Sequence, residues 1–561
     1  MKDEIILYDY DGSPCARRVK IALTEKGLPY SLQTIDLAKM QQKSPEYLAI
    51  NPNGLVPTLS HNGRIIFESA VINDYLEDQF PKIRLSPASL SGKMAVQKWQ
   101  TYELAMAKIY RPLMYSRVMG PLHHVACTKT EFLRIAAHAT DNPAHIAWEE
   151  KIWDLKVLTP DQQRTCERDV MRFADLVETS LVGKRFLVEE QFSFADIAVY
   201  PRLAMFANLG LDLNKADYPN INRWMAELSA RYSFKSTRSP ASESMRKLYK
   251  FGITQAINRV VYPNENASVK DKLIAKAVKP ILRKALKIDA ALDQSKPAPI
   301  YLVPKEAQAS IPPMHAISLK GTKLQPKDKP VQLTAYGFSG SPICLRLKLI
   351  LKASGLDYQW HEVDMRTNEQ KSADYLKLNP MAELPMLKVN ETLVPDSLFM
   401  AEYIDSLSDK LDLFASTAWE LAKIRMWNAY DMGMHKEFGQ LFHHYLATQT
   451  TNATTISQAK AIITEKLQYL ENHLKTRQFL VGKGLNYADI IVFTRLQGLE
   501  WVDAADCLEG YSSIAKWREM IASQFATLTS DKPNPPKSNG AKTKDLKQQA
   551  TLKRKNETNT I

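Results

Sequence analysis

One nine-residue stretch occurs twice in this chain, and that recurrence constrains the fold more than any other feature. Gly12-Ser13-Pro14-Cys15-Ala16-Arg17-Arg18-Val19-Lys20 returns as Gly340-Ser341-Pro342-Ile343-Cys344-Leu345-Arg346-Leu347-Lys348, an offset of 328 residues. The same offset carries Gln42-Lys43-Ser44 onto Gln370-Lys371-Ser372, Asn51-Pro52 onto Asn379-Pro380, Val56-Pro57 onto Leu384-Pro385 and Glu68-Ser69 onto Asp396-Ser397. No gap is needed from Gly12 to Ser69. Further on the offset is 293: Phe186-Leu187-Val188 aligns with Phe479-Leu480-Val481, Ala195-Asp196-Ile197 with Ala488-Asp489-Ile490, and Trp224 with Trp517. The first copy is therefore longer, and the polar stretch from Lys129 to Gln163 holds much of the excess. A repeat of this size makes the chain a duplicated two-domain unit, each copy with its own core.

Within each copy the hydrophobic period changes once. Ile5-Ile6-Leu7-Tyr8 reads as a strand, and Pro14 suits the first turn of a helix, where a missing N–H costs nothing. Val19, Ala22 and Leu23 face inward, and Gly27 is a plausible left-handed cap. A strand over Tyr30–Ile35, a helix over Lys43–Ala49 and a strand over Val56–Ser60 follow. Asn62-Gly63 then turns a hairpin into Arg64–Phe67, and a helix starts at Ser69. This order is an α/β thioredoxin-like layer, and the helical periodicity after it is an all-α domain. The spacing predicts thioredoxin-like domains over 1–82 and 331–410 and helical domains over 88–235 and 411–530. A basic Pro/Lys-rich connector covers 236–330, and a basic tail, disordered by composition, covers 531–561. Within the connector, Leu273, Ile274, Val278, Ile281 and Leu282 share a helical face that Pro280 breaks; Ser295–Pro330 reads as a flexible linker.

Charge and cysteine content narrow the function class. The net charge of +13 suggests a nucleic-acid partner, but 19 Lys/Arg against 7 Asp/Glu lie between Lys235 and Pro330, and 8 against 3 between Asp531 and Ile561. The folded parts are thus slightly acidic, and basic runs of this kind are usually solvated. With few aromatic side chains to stack on bases, they make poor readers of nucleic-acid sequence; a charge-driven contact with an anionic membrane or RNA is what they leave open. Five cysteines without a CxxC pair give neither a disulfide framework nor a zinc site. No metal is expected. The N-terminus lacks the pattern of a secretory signal, and a cytoplasmic location is the expectation.

Ser13-Pro14-Cys15-Ala16-Arg17-Arg18-Val19, Glu46-Tyr47-Leu48-Ala49-Ile50-Asn51-Pro52-Asn53-Gly54-Leu55-Val56-Pro57, Glu68-Ser69 and Ser193-Phe194-Ala195-Asp196, in this order and in two copies, resemble the glutathione transferase family over roughly 1–235 and 331–530. The resemblance implies glutathione as co-substrate, a small-molecule electrophile as acceptor, and pairing of the two copies as an intrachain pseudo-dimer or of two chains as a homodimer. It places Ser13 at the catalytic serine of the serine-type transferases. There, beside a helix N-terminus, a hydroxyl donates to the glutathione thiol and favours the nucleophilic thiolate. Cys15 matches the cysteine that some isomerase and dehalogenase members carry two places later; its other reading is a small buried hydrophobe.

The resemblance also implies a cis peptide at Val56-Pro57. Residue 56 then pairs with the cysteinyl part of glutathione through its backbone. Ser69 takes the γ-glutamyl carboxylate, Glu68 the ammonium, and Gln42 and Lys43 the glycine carboxylate. Each also has a plain reading as a cap or solvated helix-start residue. Ser193 to Asp196 is a structural capping box. The second copy offers Ser341, Gln370, Leu384, Pro385, Asp396 and Ser397 as a possible second site, with Asp396 one methylene shorter than Glu68 and Ile343 in place of Cys15. The apolar stripes Tyr102, Met106, Tyr110, Met114 and Trp427, Tyr430, Met434, Phe438 read as core. Three functions follow: a transferase using Ser13; a glutathione-dependent reductase, isomerase or dehalogenase using Cys15; or a non-catalytic scaffold acting through its basic connector and tail.

Overall fold

The computed structural model describes residues 4–87, 90–140, 142–188, 190–262, 267–293, 331–379, 382–394, 396–414, 417–446 and 452–528. The chain divides into two compact units, Met1–Lys320 with Ser416–Met426, and Gly321–Ala415 with Trp427–Ile561.

In the first unit β1 (Ile5–Asp9) leads through a short loop into α1 (Pro14–Glu25), followed by β2 (Ser31–Thr34), α2 (Pro45–Leu48), β3 (Thr58–His61), β4 (Arg64–Phe67) and α3 (Ser69–Gln79). The sheet order is β2-β1-β3-β4. β1 runs parallel to β2, with Ile6 opposite Ser31, and antiparallel to β3, with Tyr8 opposite Thr58. A parallel pair needs a crossover, which α1 supplies. Asn62 and Gly63 both have positive φ, 50° and 78°, as the tight hairpin between β3 and β4 requires. Leu7, Val19, Ile21, Ala22 and Leu23 are buried in the core of sheet and helix, while Tyr8, the next residue of β1, clusters with Ile35 and Tyr47.

The helical part comprises α4 (Leu90–Met114), α5 (Gly120–Ala126), α6 (Lys129–Ala139), α7 (Pro143–Trp153), α8 (Pro160–Ser180), α9 (Phe194–Leu203), α10 (Pro219–Ala230) and α11 (Tyr232–Ser236). Tyr102, Met106 and Tyr110 are buried, as core side chains. Ser193 caps α9 in a full capping box. Asp196 accepts from the backbone N–H of Leu187 (3.1 Å) and Ser193 (2.9 Å), from the Ser193 hydroxyl (3.3 Å) and from Trp224 Nε1 (2.8 Å). Burial pushes its carboxyl up to about 6 against the pull of these donors. Asp196→Asn puts an amide N–H against one of them and is expected to cost about 2 kcal/mol; urea denaturation of the full chain checks this.

Residues 240–292, assigned from sequence to the connector, carry four helices: α12 (Pro240–Lys250), α13 (Ile253–Val261), α14 (Val269–Ala285) and α15 (Ile288–Leu292). They pack back on the first unit. Tyr262 donates to Ser116 O (2.5 Å), Asn258 Nδ2 to Arg117 O (3.1 Å) and Arg283 Nη1 to Ala126 O (3.0 Å). The expected apolar face is corrected: Pro280 lies inside α14 without ending it, Leu282 is buried, and Leu273 and Ile281 are exposed. The inward side is instead set by Asp271 and Ala275 with Leu282, because Asp271 both caps α14 and pairs with Arg259. The flexible linker expected over Ser295–Pro330 and the tail after Asp531 lie outside the described residues.

The second unit repeats the plan with β5 (Leu333–Gly337), α16 (Pro342–Ser354), β6 (Tyr358–Glu362), α17 (Ala373–Leu378), β7 (Met386–Val389), β8 (Thr392–Val394) and α18 (Ser397–Leu407), in sheet order β6-β5-β7-β8. Then come α19 (Ala418–Met432), of which Trp427 onward belongs to this unit, α20 (His435–Tyr445), α21 (Ala453–Leu474), α22 (Tyr487–Trp501) and α23 (Ser512–Leu528). A single described helix, α20, stands between α19 and α21, where the first unit has α5, α6 and α7; this is where its extra length lies. Trp427, Tyr430, Met434 and Phe438 are core. Asn486 and Asp489 form the corresponding capping box, with Trp517 Nε1 donating to Asp489 at 3.2 Å. No helix among the described residues is long and apolar enough to cross a membrane.

Candidate functional site

Ser13 is the N-cap of α1, held extended at φ −83° and ψ 119° by Pro14 behind it. Its Oγ accepts the N–H of Ala16 at 3.2 Å. A hydroxyl that accepts through a lone pair keeps its own proton to donate. The first turn of α1 also contributes N–H groups without helical partners, which favour an anion in front of them.

The other candidate residues of the first unit stand on three turns. Val56-Pro57 is a cis peptide leading into β3, and Leu384-Pro385 is its counterpart ahead of β7, as the resemblance implied. Glu68 precedes α3 with φ 69°, a conformation side-chain-bearing residues rarely adopt. Its side chain does not cap α3; Oε1 accepts from Asn53 Nδ2 at 2.9 Å, which ties it to the loop before the cis peptide. Ser69 is buried and its Oγ accepts from Arg18 Nη1 at 3.2 Å. Gln42 and Lys43 lie in a 3-10 turn before α2. Gln42 Oε1 is buried without a hydrogen-bond partner among the described residues. Lys43 Nζ stands 2.9 Å from where a side chain on Gly54 would begin, and Gln42 O 2.8 Å. Gly54, at φ +57°, thus lets the Gln42–Lys43 turn close on the loop.

A line of buried charge runs behind these residues. From Ser69 it passes to Arg18, whose Nη2 lies 3.4 Å from Glu103 Oε2 on α4. Glu103 Oε1 accepts from Arg202 Nε on α9 at 2.8 Å, and Arg202 Nη2 donates to Cys15 Sγ at 3.5 Å. Burial works against the Arg202 charge, but the adjacent Glu103 carboxylate overrides it and raises the guanidinium above its ordinary value. Cys15, half-buried in the first turn of α1, therefore faces a fixed cation. At the other cysteines burial raises the thiol: Cys127 to about 11, Cys344 to about 11, and Cys166 and Cys507 above the ordinary thiol value.

The second copy keeps the line and loses the thiol. Arg346 Nη2 bonds Asp431 Oδ2 (2.8 Å), Asp431 Oδ1 accepts from Arg495 Nε (2.7 Å), and Arg495 lies over the Phe438 ring at 4.5 Å. Ile343 replaces Cys15. Asp396 does what Glu68 does not: its carboxylate caps α18 by accepting from Phe399 N–H at 2.9 Å, at an unstrained φ of −102°. Ser341 makes no side-chain cap, and Ala382 stands at φ 55° where the first copy has Gly54. Gln370 Oε1 is buried without a hydrogen-bond partner among the described residues, and Ser397 O accepts from Tyr487.

Comparison with known proteins agrees with the duplicated plan. Models of the glutathione S-transferase N-terminal domain match residues 7–85 and 331–406, and models of its C-terminal domain match 143–231 and 432–525. The chain belongs to the glutathione S-transferase family. Glutathione S-transferase 1 of Dianthus caryophyllus is 44% identical over 87 residues, 16% of this chain and 39% of that protein, so the match spans about two fifths of that relative. Maleylacetoacetate isomerase of Dictyostelium discoideum is 30% identical over 212 residues, 36% of this chain and 86% of the isomerase. The solved structure of beta-etherase LigF from Sphingobium sp. strain SYK-6 is 23% identical, covering 42% of this chain and 98% of its own, with a TM-score of 0.38.

The sequence reading of this glutathione S-transferase missed Arg18, Glu103 and Arg202. The signal was present in the repeat, since the offset of 328 carries Arg18 onto Arg346 and Glu103 onto Asp431, and that of 293 carries Arg202 onto Arg495. It also missed Glu149 on α7, raised to about 7 by burial against the pull of Lys43. No second-copy residue aligns with Glu149, which sits in the extra length of the first copy. Among the described residues no group of His, Cys, Asp and Glu could hold a metal ion.

Proposed function

We propose that the first unit of this glutathione S-transferase binds glutathione and activates its thiol for attack on an electrophilic small molecule. The observation that carries this reading is Ser13: at the start of α1, its Oγ takes the Ala16 N–H and its own proton remains to donate to a sulfur. The thiolate forms as the thiol proton leaves to solvent, its charge favoured by that hydroxyl and by the helix N-terminus. The sulfur then bonds to the electrophilic carbon and the leaving group departs with the displaced electron pair. The fit of the tripeptide rests on its chemistry. Val56 at the cis peptide offers backbone N–H and C=O to an added strand. Glu68 supplies a carboxylate for an ammonium, Ser69 stands at the N-terminus of α3 for a carboxylate, and Lys43 with Gln42 supplies a cation and an amide for the other carboxylate.

A second reading uses Cys15, and one contact favours it: Arg202 Nη2 stands at 3.5 Å from Sγ, a cation facing the sulfur. The isomerase relative points the same way. In the second unit, Asp396 as an ordinary cap and Ile343 in the cysteine position support a copy retained for its fold.

Calorimetric titration of the full chain with glutathione tests both statements. One site per chain is expected. Ser13→Ala should leave the stoichiometry at one, because the serine acts on the sulfur rather than on the tripeptide's charged ends, and Ser341→Ala should change nothing. No heat with a folded chain at millimolar glutathione would refute the proposal, and two sites would refute the inactive second copy.

A further inference from the structure

The outward face of α14 is built unlike that of an ordinary surface helix. Its inward side is fixed at both ends: Asp271 pairs with Arg259 at 2.7 Å, and Arg283 bonds Glu131 at 3.1 Å and Ala126 O at 3.0 Å. Ala275 and Leu282 are buried between them. At about 100° per residue the opposite side should be polar. It holds Val269, Leu273 and Ile281 instead, 75%, 62% and 62% exposed, with exposed Ala277 and Pro280 among them. Five lysines are all exposed, Lys272, Lys276 and Lys279 bordering this strip and Lys270 and Lys284 interrupting it. On a helical wheel Lys272, Lys276 and Lys279 fall on one flank, and Lys270 and Lys284 within the strip among the apolar residues. The strip is about 25 Å long for 17 residues.

We propose that this face docks on an anionic lipid bilayer, lying in the headgroup plane. Apolar side chains along the centre enter the acyl boundary, and lysine stems reach sideways so that their ammonium groups meet lipid phosphates and carboxylates. The charge arrangement selects this occupant. A second copy of the same face would bring five lysines against five. Single-stranded nucleic acid needs aromatic platforms, and Val269–Ala285 contains none. The helix is held to the folded unit rather than loose, so its apolar strip is presented without an ordering cost on binding.

The test is flotation of the full chain with vesicles of phosphatidylcholine alone or with about 30% phosphatidylserine, at about 0.1 M salt. Binding is expected to the anionic vesicles only, and to fall at about 0.5 M salt. The Leu273→Asp/Ile281→Asp double variant should bind at least about tenfold more weakly. Replacing the five lysines by glutamine should abolish binding. Both variants should keep the melting temperature and glutathione titration of the parent, because every changed side chain is exposed. Binding that survives both variants would place the contact elsewhere, such as the basic tail, and overturn the proposal. So would equal binding to neutral vesicles, no binding at all, or retention by RNA or an acidic protein but not by lipid.

Discussion

Ser13→Ala is expected to lower kcat/KM for glutathione conjugation by about a hundredfold or more, the loss typical of removing one donor aimed at a developing anion. The loss should fall mainly on kcat, with a downward shift in the rate at neutral pH that alkaline solution partly restores, because the thiol then ionises without help. Alanine also removes the oxygen that accepts the Ala16 N–H, which costs about 1 kcal/mol of helix capping. A Ser13→Thr variant keeps both groups and should recover most of the activity if the hydroxyl is what matters. Under this mechanism Cys15→Ala leaves conjugation within about threefold, since Cys15 would matter only through packing. The cysteine-based mechanism predicts the reverse: Cys15→Ala loses turnover, and Arg202→Met loses it as well by removing the cation 3.5 Å from the sulfur. Steady-state rates of these four variants with one soluble aryl halide and one disulfide substrate decide between the mechanisms.

The fold was legible because its signals are local and occur twice. Strand, Pro14, Gly27 and Asn62-Gly63 specify the sheet layer by backbone chemistry that no tertiary contact overrides, and β1, α1 and the hairpin stand where those residues predict. The charged line behind the site was harder to read. Arg18, Glu103 and Arg202 come from three helices, and nothing local distinguishes a buried arginine from a surface one until the partner carboxylate is placed. The reading of α14 failed for a related reason. Its apolar residues, read as sharing one face broken by Pro280, divide between two sides because the helix is oriented by two ion pairs, Arg259–Asp271 and Arg283–Glu131, rather than by its most hydrophobic stripe. Likewise Glu68 and Asp396 occupy one position of the repeat, but the shorter carboxylate reaches its own helix N-terminus. Length by a single methylene was visible in sequence; which donor it would meet was not.

Asp431→Ala is expected to destabilise the second unit by about 3–5 kcal/mol, a large share of a domain's total. Arg346, Asp431 and Arg495 are buried to the point of almost no solvent contact, and Asp431 is the carboxylate both guanidiniums bond. Without it two cations face each other in a medium that cannot hydrate them. The protonation behaviour agrees. Burial alone would raise the Asp431 carboxyl, but Arg346 and Arg495 override it and hold it at about 2. Its folded value therefore lies below the ordinary carboxylate value near 4, so its contribution is complete at neutral pH and is lost as the pH falls from about 4 through about 2. Asp431→Ala should flatten that part of the acid-denaturation curve. A triple variant with Arg346→Met, Asp431→Leu and Arg495→Met should regain most of the loss, because a buried ion cluster seldom stabilises more than apolar side chains of similar volume. Chemical denaturation followed by tryptophan fluorescence reads the change, Trp501 and Trp517 belonging to this unit. A shift below about 1 kcal/mol for Asp431→Ala would mean that water reaches the two guanidiniums. The cluster would then be a solvated network and not the dry link between α16, α19 and α22.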